Sequence, residues 1–175
     1  MTHELIVAFI ARDRPGVIEQ ITKIVTEHEG NWLESRMAHL AETFTGVARV
    51  SVTEAHASAL TDALSALEED GFQVMIRAAG TTAAAPIANP VINFEIVGPD
   101  HPGILHELTR TIASLGASVE EMETRIDSAP VSGETLFAAD TKVRLPDGLS
   151  EGAFRDALED SANALFVDIA IVEGD

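Results

Sequence analysis

The apolar residues of this chain form short runs and helix-spaced stripes that follow one another in a regular order. Residues 5–11 are continuously apolar, which is typical of a strand buried on both faces. Apolar positions then recur at helical spacing from Val17 to His28, and Gly30 marks the end of that helix. Pro15 suits the first turn of the same helix. Further along, a hairpin, a helix and a strand are predicted for residues 31–40 with 47–52, 57–67 and 72–76.

The same order of elements returns in the second half of the chain. Gly103 follows Gly16 by 87 positions, and apolar residues of the two predicted first helices align at this spacing. These pairs are Val17/Ile104, Ile18/Leu105, Ile21/Leu108 and Val25/Ile112. A fixed internal spacing indicates a duplicated module. We therefore predict an α+β protein with two βαββαβ domains, residues 1–80 and 91–175, joined by an uncharged linker at 81–90 that contains two prolines.

The predicted hairpins of the two copies differ in length. The first copy turns within residues 42–46, whereas residues 127–134 of the second copy form an eight-residue polar stretch that predicts a longer loop. Such a loop is either a tolerated insertion at a hairpin tip, a contact for a partner, or a lid over a site. The pattern leaves these alternatives open.

The charge of the chain restricts its partners. It has 29 acidic and 11 basic side chains, hence −18; residues 1–80 carry 12 and 6, and residues 91–175 carry 17 and 5. Neutralising phosphates is a main source of affinity for DNA, so we expect no direct contact with nucleic acid. No apolar run is long enough to span a bilayer and no basic leader precedes one, so we expect a cytoplasmic protein without a membrane contact. The chain has no cysteine, which excludes disulfides and thiolate chemistry.

Two short turns carry the strongest chemical signal. Asp13-Arg14-Pro15-Gly16 and Asp100-His101-Pro102-Gly103 each join a predicted strand to a predicted helix. The free N–H groups of a helix's first turn attract a carboxylate, and glycine lets a ligand approach the backbone. An aspartate beside them offers an acceptor for an ammonium group, which together suits a free amino acid. Asn31 and Ser118, which open the following strands, both donate and accept hydrogen bonds. The alternative is that each aspartate simply caps its helix.

Catalytic patterns are absent from the sequence. The six histidines have no metalloenzyme spacing; His101 and His106, five positions apart, straddle a helix start rather than share a helical face. No nucleophile elbow, phosphate-binding loop or dinucleotide-binding turn is present. We therefore predict no catalytic residue, no metal and no cofactor; an enzyme would need a site at His101 or in the acidic hairpin of the second copy.

The module resembles an ACT domain in its element order, in the stretch Asp13 to Ile18, and in the pair Gly30-Asn31. The stretch Asp100 to Leu105 resembles the same motif. Two such domains without a catalytic domain resemble the glycine cleavage system transcriptional repressor family. Two further regions agree with that family: residues 34–38 with 44–45, and residues 130–133 with 136–137. The first copy also resembles the N-terminal part of formyltetrahydrofolate deformylase, whose hydrolase domain has no counterpart here.

This resemblance implies a ferredoxin-like fold, in which two helices cover one face of each antiparallel sheet, and small-ligand binding between paired ACT domains. In such pairs, the strand–helix loop of one domain faces the second strand of the other. One implied site consists of Asp13, Gly16, Val17 and Ile18 facing Ser118. The other consists of Asp100, His101, Gly103, Ile104 and Leu105 facing Asn31. Because only Asn31 matches the asparagine of serine-binding relatives, we expect the sites to differ and favour the one that combines Gly103 with Asn31.

The leading hypothesis is a non-catalytic regulatory protein that binds a small amino acid, with glycine or serine favoured. Because the chain is acidic, any control of transcription would act through a partner protein, such as the regulator of glycine cleavage genes. Exposed edge strands of two small sheets favour a homodimer. The alternative hypothesis is a ligand-free structural or dimerisation scaffold, suggested by Ser118 in place of asparagine.

Overall fold

The chain folds into two compact units of similar architecture. The computed structural model describes residues 2–80, 89–128 and 133–172, and the units comprise Met1–Ala84 and Ala85–Asp175. Each is a four-stranded antiparallel sheet with two helices packed on one face, which confirms the predicted α+β fold. Residues 81–88 of the predicted linker lie outside the described residues. Over the described ranges, the helices are too short or too polar to cross a membrane.

The first unit follows the predicted order of elements. They are β1 (Thr2–Arg12), α1 (Val17–Glu27), β2 (Asn31–Leu40), β3 (Thr43–Thr53), α2 (Glu54–Ser65) with a 3₁₀ turn (Ala66–Asp70), and β4 (Gln73–Ala78). The sheet order is β2-β3-β1-β4, so β2 and β4 are the edge strands.

The second unit repeats this arrangement. Its elements are β5 (Val91–Pro99), α3 (Ile104–Ser114), β6 (Ser118–Ser128), β7 (Thr135–Arg144), α4 (Glu151–Leu165) and β8 (Asp168–Val172). The sheet order is β6-β7-β5-β8, with β6 and β8 at the edges.

The helix stripes predicted from apolar spacing form the two cores. In the first unit, α1 buries Val17, Ile21 and Val25 against a sheet whose largest buried side chain is Phe9. The corresponding residues of α3 are Ile104, Leu108 and Ile112. Aromatic pairs reinforce both cores, with ring centroids 6.1 Å apart for Phe9 with Phe44 and for Phe94 with Phe154. Apolar burial on one helix face is therefore the main stabilising contribution in each unit.

One face of the first sheet is open, so the prediction that β1 is buried on both faces is wrong. Leu5, Val7 and Phe9 point into the core, but Ile10, on the opposite face, is 46% exposed. Both helices pack on the same side of the sheet, so they shield only alternate residues of the central strand. Continuous apolarity of β1 therefore reflects an apolar outer face and not a second covering layer.

The predicted positions of three turns are also corrected. The first hairpin turns at Ala41 and Glu42, so only Glu42 of the predicted stretch 42–46 lies in the turn. Gly46 lies in β3, where a Cβ would be 2.7 Å from the Phe9 ring. Strand β6 continues to Ser128, so the first two residues of the predicted loop 127–134 belong to a strand. Residues 129–132 of that loop lie outside the described residues. Pro15 precedes α1 rather than forming its first turn, because Gly16 is the N-cap.

Candidate functional site

The two strand–helix turns have the same backbone conformation. Gly16 caps α1 with φ 93°, and Gly103 caps α3 with φ 103°. This left-handed region strains any residue with a Cβ, so glycine is required at both positions. Among the described residues, and apart from the adjoining residues of the chain, no heavy atom lies within 4 Å of an ideal Cβ at either glycine. The backbone above each helix start is therefore open to an incoming group.

The first backbone N–H groups of α1 and α3 are available as hydrogen-bond donors. No side chain caps either helix. The helical hydrogen bonds begin with Gln20 N–H donating to Gly16 O and Glu107 N–H donating to Gly103 O, both at 3.0 Å. Among the described residues, the amides of Ile18 and Leu105 have no backbone acceptor. Uncapped amides and the positive end of the helix dipole together favour an anionic ligand group.

The two aspartates hold their turns through the backbone and do not cap the helices. Asp13 N–H donates to Glu42 O and Asp100 N–H donates to Thr135 O, both at 2.9 Å, which fastens each turn to the neighbouring hairpin. Neither carboxylate accepts a hydrogen bond from the helix start. The capping explanation is thus wrong for both residues, each of which precedes the uncapped amides by a few positions in the chain.

The surroundings of the two carboxylates differ. The Asp13 carboxylate lies 3.4 Å from His39 Nε2, at the end of β2. The position 87 residues after His39 is Ile126, which is 58% exposed and carries no charge. Sequence reasoning missed His39, although the register brings the end of β2 and the end of β1 to the two sides of the start of β3. Asp13 therefore contacts an imidazole at the end of β2, whereas the corresponding position of the second unit carries an aliphatic side chain.

His101 fastens the second turn to the end of α4. Its Nε2 lies 3.0 Å from Leu165 O and its Nδ1 lies 3.3 Å from Pro102 O. The hydrogen bond with Leu165 O, followed by that with Pro102 O and the charge of Asp100, raises the pKa of His101. Its counterpart Arg14 lies over the Phe72 ring, 5.9 Å from the centroid. The residue after each aspartate thus attaches the turn to its own unit, and a direct contact of His101 with a ligand stays a prediction.

Asn31 and Ser118 lie far from the turn of their own unit. Asn31 is the exposed first residue of edge strand β2 and pairs with Ser51, which pairs with Glu4 on β1. The turn follows Arg12, eight residues further along β1, at a distance of about 27 Å at strand rise. Ser118 is placed likewise, opposite Arg144 and Val91, while the second turn follows Pro99. A site that combines a turn with either residue therefore requires two units.

The fold and its turns define the class of protein. Residues 3–77 match the family model of the ACT domain, and the second unit repeats the fold and the glycine-capped turn. The first half of the chain is thus an ACT domain, and the second half is ACT-like in its fold.

Solved structures extend the likeness over the whole chain. An unknown protein from Galdieria sulphuraria is 28% identical, with a TM-score of 0.81 and 100% of both chains covered. A protein assigned as a glycine cleavage system transcriptional repressor has the same fold, with 17% identity, a TM-score of 0.74, and 98% of this chain and 97% of that chain covered. A formyltetrahydrofolate deformylase from Pseudomonas putida KT2440 is 20% identical at a TM-score of 0.40, covering 49% of this chain and 29% of that one. A comparison with curated proteins gives no match.

Proposed function

We propose that this chain is a non-catalytic regulatory protein that binds a small amino acid, with glycine or serine favoured, between two ACT units. The observation that carries the proposal is the pairing, in each turn, of uncapped helix amides with an aspartate that does not cap them. The amides suit the ligand's carboxylate and the aspartate suits its ammonium group. A small ligand is favoured because the glycines leave room for close approach to the backbone.

The preferred site combines Asp100, Gly103 and Leu105 with Asn31 from the start of a β2 strand. The Asp100 carboxylate has no imidazole at the end of β6, because Ile126 occupies the position that corresponds to His39, whose ring contacts Asp13. The Asn31 amide both donates and accepts, so it complements a zwitterion better than the single hydroxyl of Ser118. The second site, with Asp13, Gly16, Val17 and Ile18 facing Ser118, is proposed to bind more weakly.

Regulation is proposed to act through another protein. The net charge of −18 disfavours direct contact with DNA, and the fold shared with the protein assigned as a glycine cleavage system transcriptional repressor supports a role in transcription. The proposed partner is the regulator of the glycine cleavage genes, in the cytoplasm. Co-purification of the two proteins with and without added glycine tests this step, and an association that no amino acid alters would contradict ligand control.

Calorimetric titration with glycine, serine and the other common amino acids tests ligand binding. Replacing Asp100 by Asn preserves the shape and removes the charge, so we expect affinity to fall by about tenfold or more, since a charge-assisted hydrogen bond contributes about 1.5–3 kcal/mol. Asn31→Ala should weaken binding similarly, and Ser118→Ala should affect only the weaker site. Asp156→Asn is the matched control, because Asp156 is exposed on α4 and belongs to neither proposed site.

A ligand-free scaffold is the alternative function. The Asp13–His39 contact and Ser118 in place of asparagine favour it, because both reduce the capacity of one site for an amino acid. Ligand at one hundred times its Kd would add about 2.7 kcal/mol to the free energy of unfolding. If no common amino acid produces either heat in calorimetry or a thermal shift, the ligand-free scaffold is the function that the data support.

A further inference from the structure

The sheet face opposite the helices, called here the outer face, has an apolar centre in the first unit. Val47 on β3 and Met75 on β4 flank Ala8 of β1 in one row of the sheet. Val47 is 47% exposed and Met75 is 69% exposed, and Ile10 in the next row is 46% exposed. Contiguous exposed apolar side chains on adjacent strands mark a surface suited to association.

Basic residues surround this apolar centre. The outer face of the first unit carries two acidic and four basic side chains, hence a net charge of +2, within a stretch of the chain whose net charge is −6. Arg49 is paired with both acidic residues, at 3.3 Å from Glu4 and 3.1 Å from Glu34. The three other basic residues lie toward the margin of the face: Arg12, Arg36 and Arg77. Positive charge in this unit is therefore concentrated on one side of its sheet.

The outer face of the second unit has the opposite character. In the row equivalent to Arg36–Val47–Ala8, the register places Glu123, Asp140 and Glu95. Arg125 contacts three carboxylates, those of Glu95, Asp127 and Asp140, which raise the pKa of its guanidinium. Over the whole face, three basic residues stand against six acidic ones, hence −3: Arg125, Lys142 and Arg144 against Glu95, Glu121, Glu123, Asp127, Asp140 and Asp168.

We propose that the outer face of the first unit in one copy of the chain docks on the outer face of the second unit in another copy, and reciprocally, which produces a two-fold dimer. The two faces have the same strand order and opposite net charge, so stacking them places arginines against carboxylates. Stacking a face on its own copy would instead bring like charges together, most unfavourably for the second unit. The occupant of the basic, apolar face is thus the acidic face of a second copy.

The size of the faces explains why the pairing is reciprocal. Four strands about 4.8 Å apart, over about six residues of 3.4 Å rise, give a face of about 400 Å². One stacked pair buries about 800 Å², which is below the roughly 1,200 Å² of a stable specific interface. Two such pairs in a closed two-fold dimer bury about 1,600 Å², the size typical of stable complexes.

Two charge-reversal variants test the pairing. The first carries Arg36→Glu and Arg77→Glu on the outer face of the first unit. The second carries Glu123→Arg and Asp168→Arg on that of the second unit, chosen because no ion pair among the described residues involves Glu123 or Asp168. Helix-side reversals, Lys23→Glu and Glu159→Arg, are the controls, since both side chains are exposed on the opposite side of their sheets.

Sedimentation velocity of the full chain is the assay, with circular dichroism to verify folding. We expect twice the 18.6 kDa chain mass for the wild type and both controls. Each reversal variant alone should weaken the dimer by about a hundredfold, and an equimolar mixture of the two should restore it, because one interface is then doubly reversed and the other is unchanged. A dimer that both variants retain, or a mixture that stays monomeric, would refute the pairing.

Salt dependence of the wild type gives a readout that needs no variant. Raising NaCl from about 0.05 M to about 0.5 M should raise the dimer Kd by about tenfold or more, because ion screening shortens the reach of charge–charge attraction. A wild-type chain that is monomeric at low salt and high concentration, or a dimer insensitive to salt, overturns the proposal.

Discussion

Gly46 of β3 provides a direct test of how tightly the first sheet packs. An ideal Cβ at this position would lie 2.7 Å from Phe9 Cζ and 2.9 Å from Met37 Cγ. Phe9 is 1% exposed and stacked on Phe44, so its ring has little room to move. Met37 is flexible and can yield. Gly46→Ala therefore acts mainly through the Phe9 ring.

The expected cost follows from two opposing contributions. Inserting a methyl group into a packed core destabilises a protein by about 1–3 kcal/mol. Replacing glycine by alanine in a strand stabilises it by about 0.5–1 kcal/mol, because the unfolded chain loses conformational freedom. We expect Gly46→Ala to lower the free energy of unfolding by about 1–2 kcal/mol. In a Phe9→Leu background, which removes the ring atoms, the same change should be close to neutral, a coupling of about 1–2 kcal/mol.

Urea unfolding followed by tryptophan fluorescence measures the stability of the first unit, which contains Gly46. Trp32 is the only tryptophan of the chain and packs against the first core. Gly152→Ala in α4 of the second unit is the control, because no other described residue lies within 4 Å of a Cβ at that position. Followed by circular dichroism, this variant should be more stable than wild type by about 1 kcal/mol. An unfolding free energy for Gly46→Ala at or above wild type, or an equal loss in both Phe9 backgrounds, would refute the packing argument.

Three further results are expected. Gly103→Ala should lower the free energy of unfolding by about 1–2 kcal/mol through left-handed strain alone, and should abolish the calorimetric heat of the stronger site; binding retained at that site would show that the open backbone is not used. The raised pKa of His101 contributes stability that is fully present below the unfolded pKa of about 6.5 and is lost as pH rises through the folded pKa. His101→Gln should therefore reduce the pH dependence of the melting temperature above pH 6.5, whereas the exposed control His106→Gln should not. Arg125→Gln leaves three carboxylates without their shared cation, so it should lower the melting temperature at low salt and less so at high salt; a salt-independent change would contradict an electrostatic cause.

Much of the fold is predictable from short-range pattern. Helical spacing of apolar residues identified the buried stripes of α1 and α3, and the 87-residue repeat predicted two copies of one topology. Gly16 and Gly103 were identified from the sequence as positions where a ligand can approach the backbone, and the structure adds that both have a positive φ. Gly46 was misassigned to a turn because glycine is common in turns, but glycine also occurs where a ring from the next strand leaves no space for a Cβ.

The sequence by itself determined the order of elements, the duplication, the acidic charge and the glycine-capped turns, because each depends on neighbouring residues or on composition. Only the tertiary structure decided that the aspartates do not cap their helices, that His39 contacts the Asp13 carboxylate, and that Asn31 lies at the end of its own sheet opposite to the turn. It also separated the apolar, basic outer face of one unit from the acidic face of the other. These features depend on strand register, which brings together residues that are distant along the chain, and no local pattern encodes that distance.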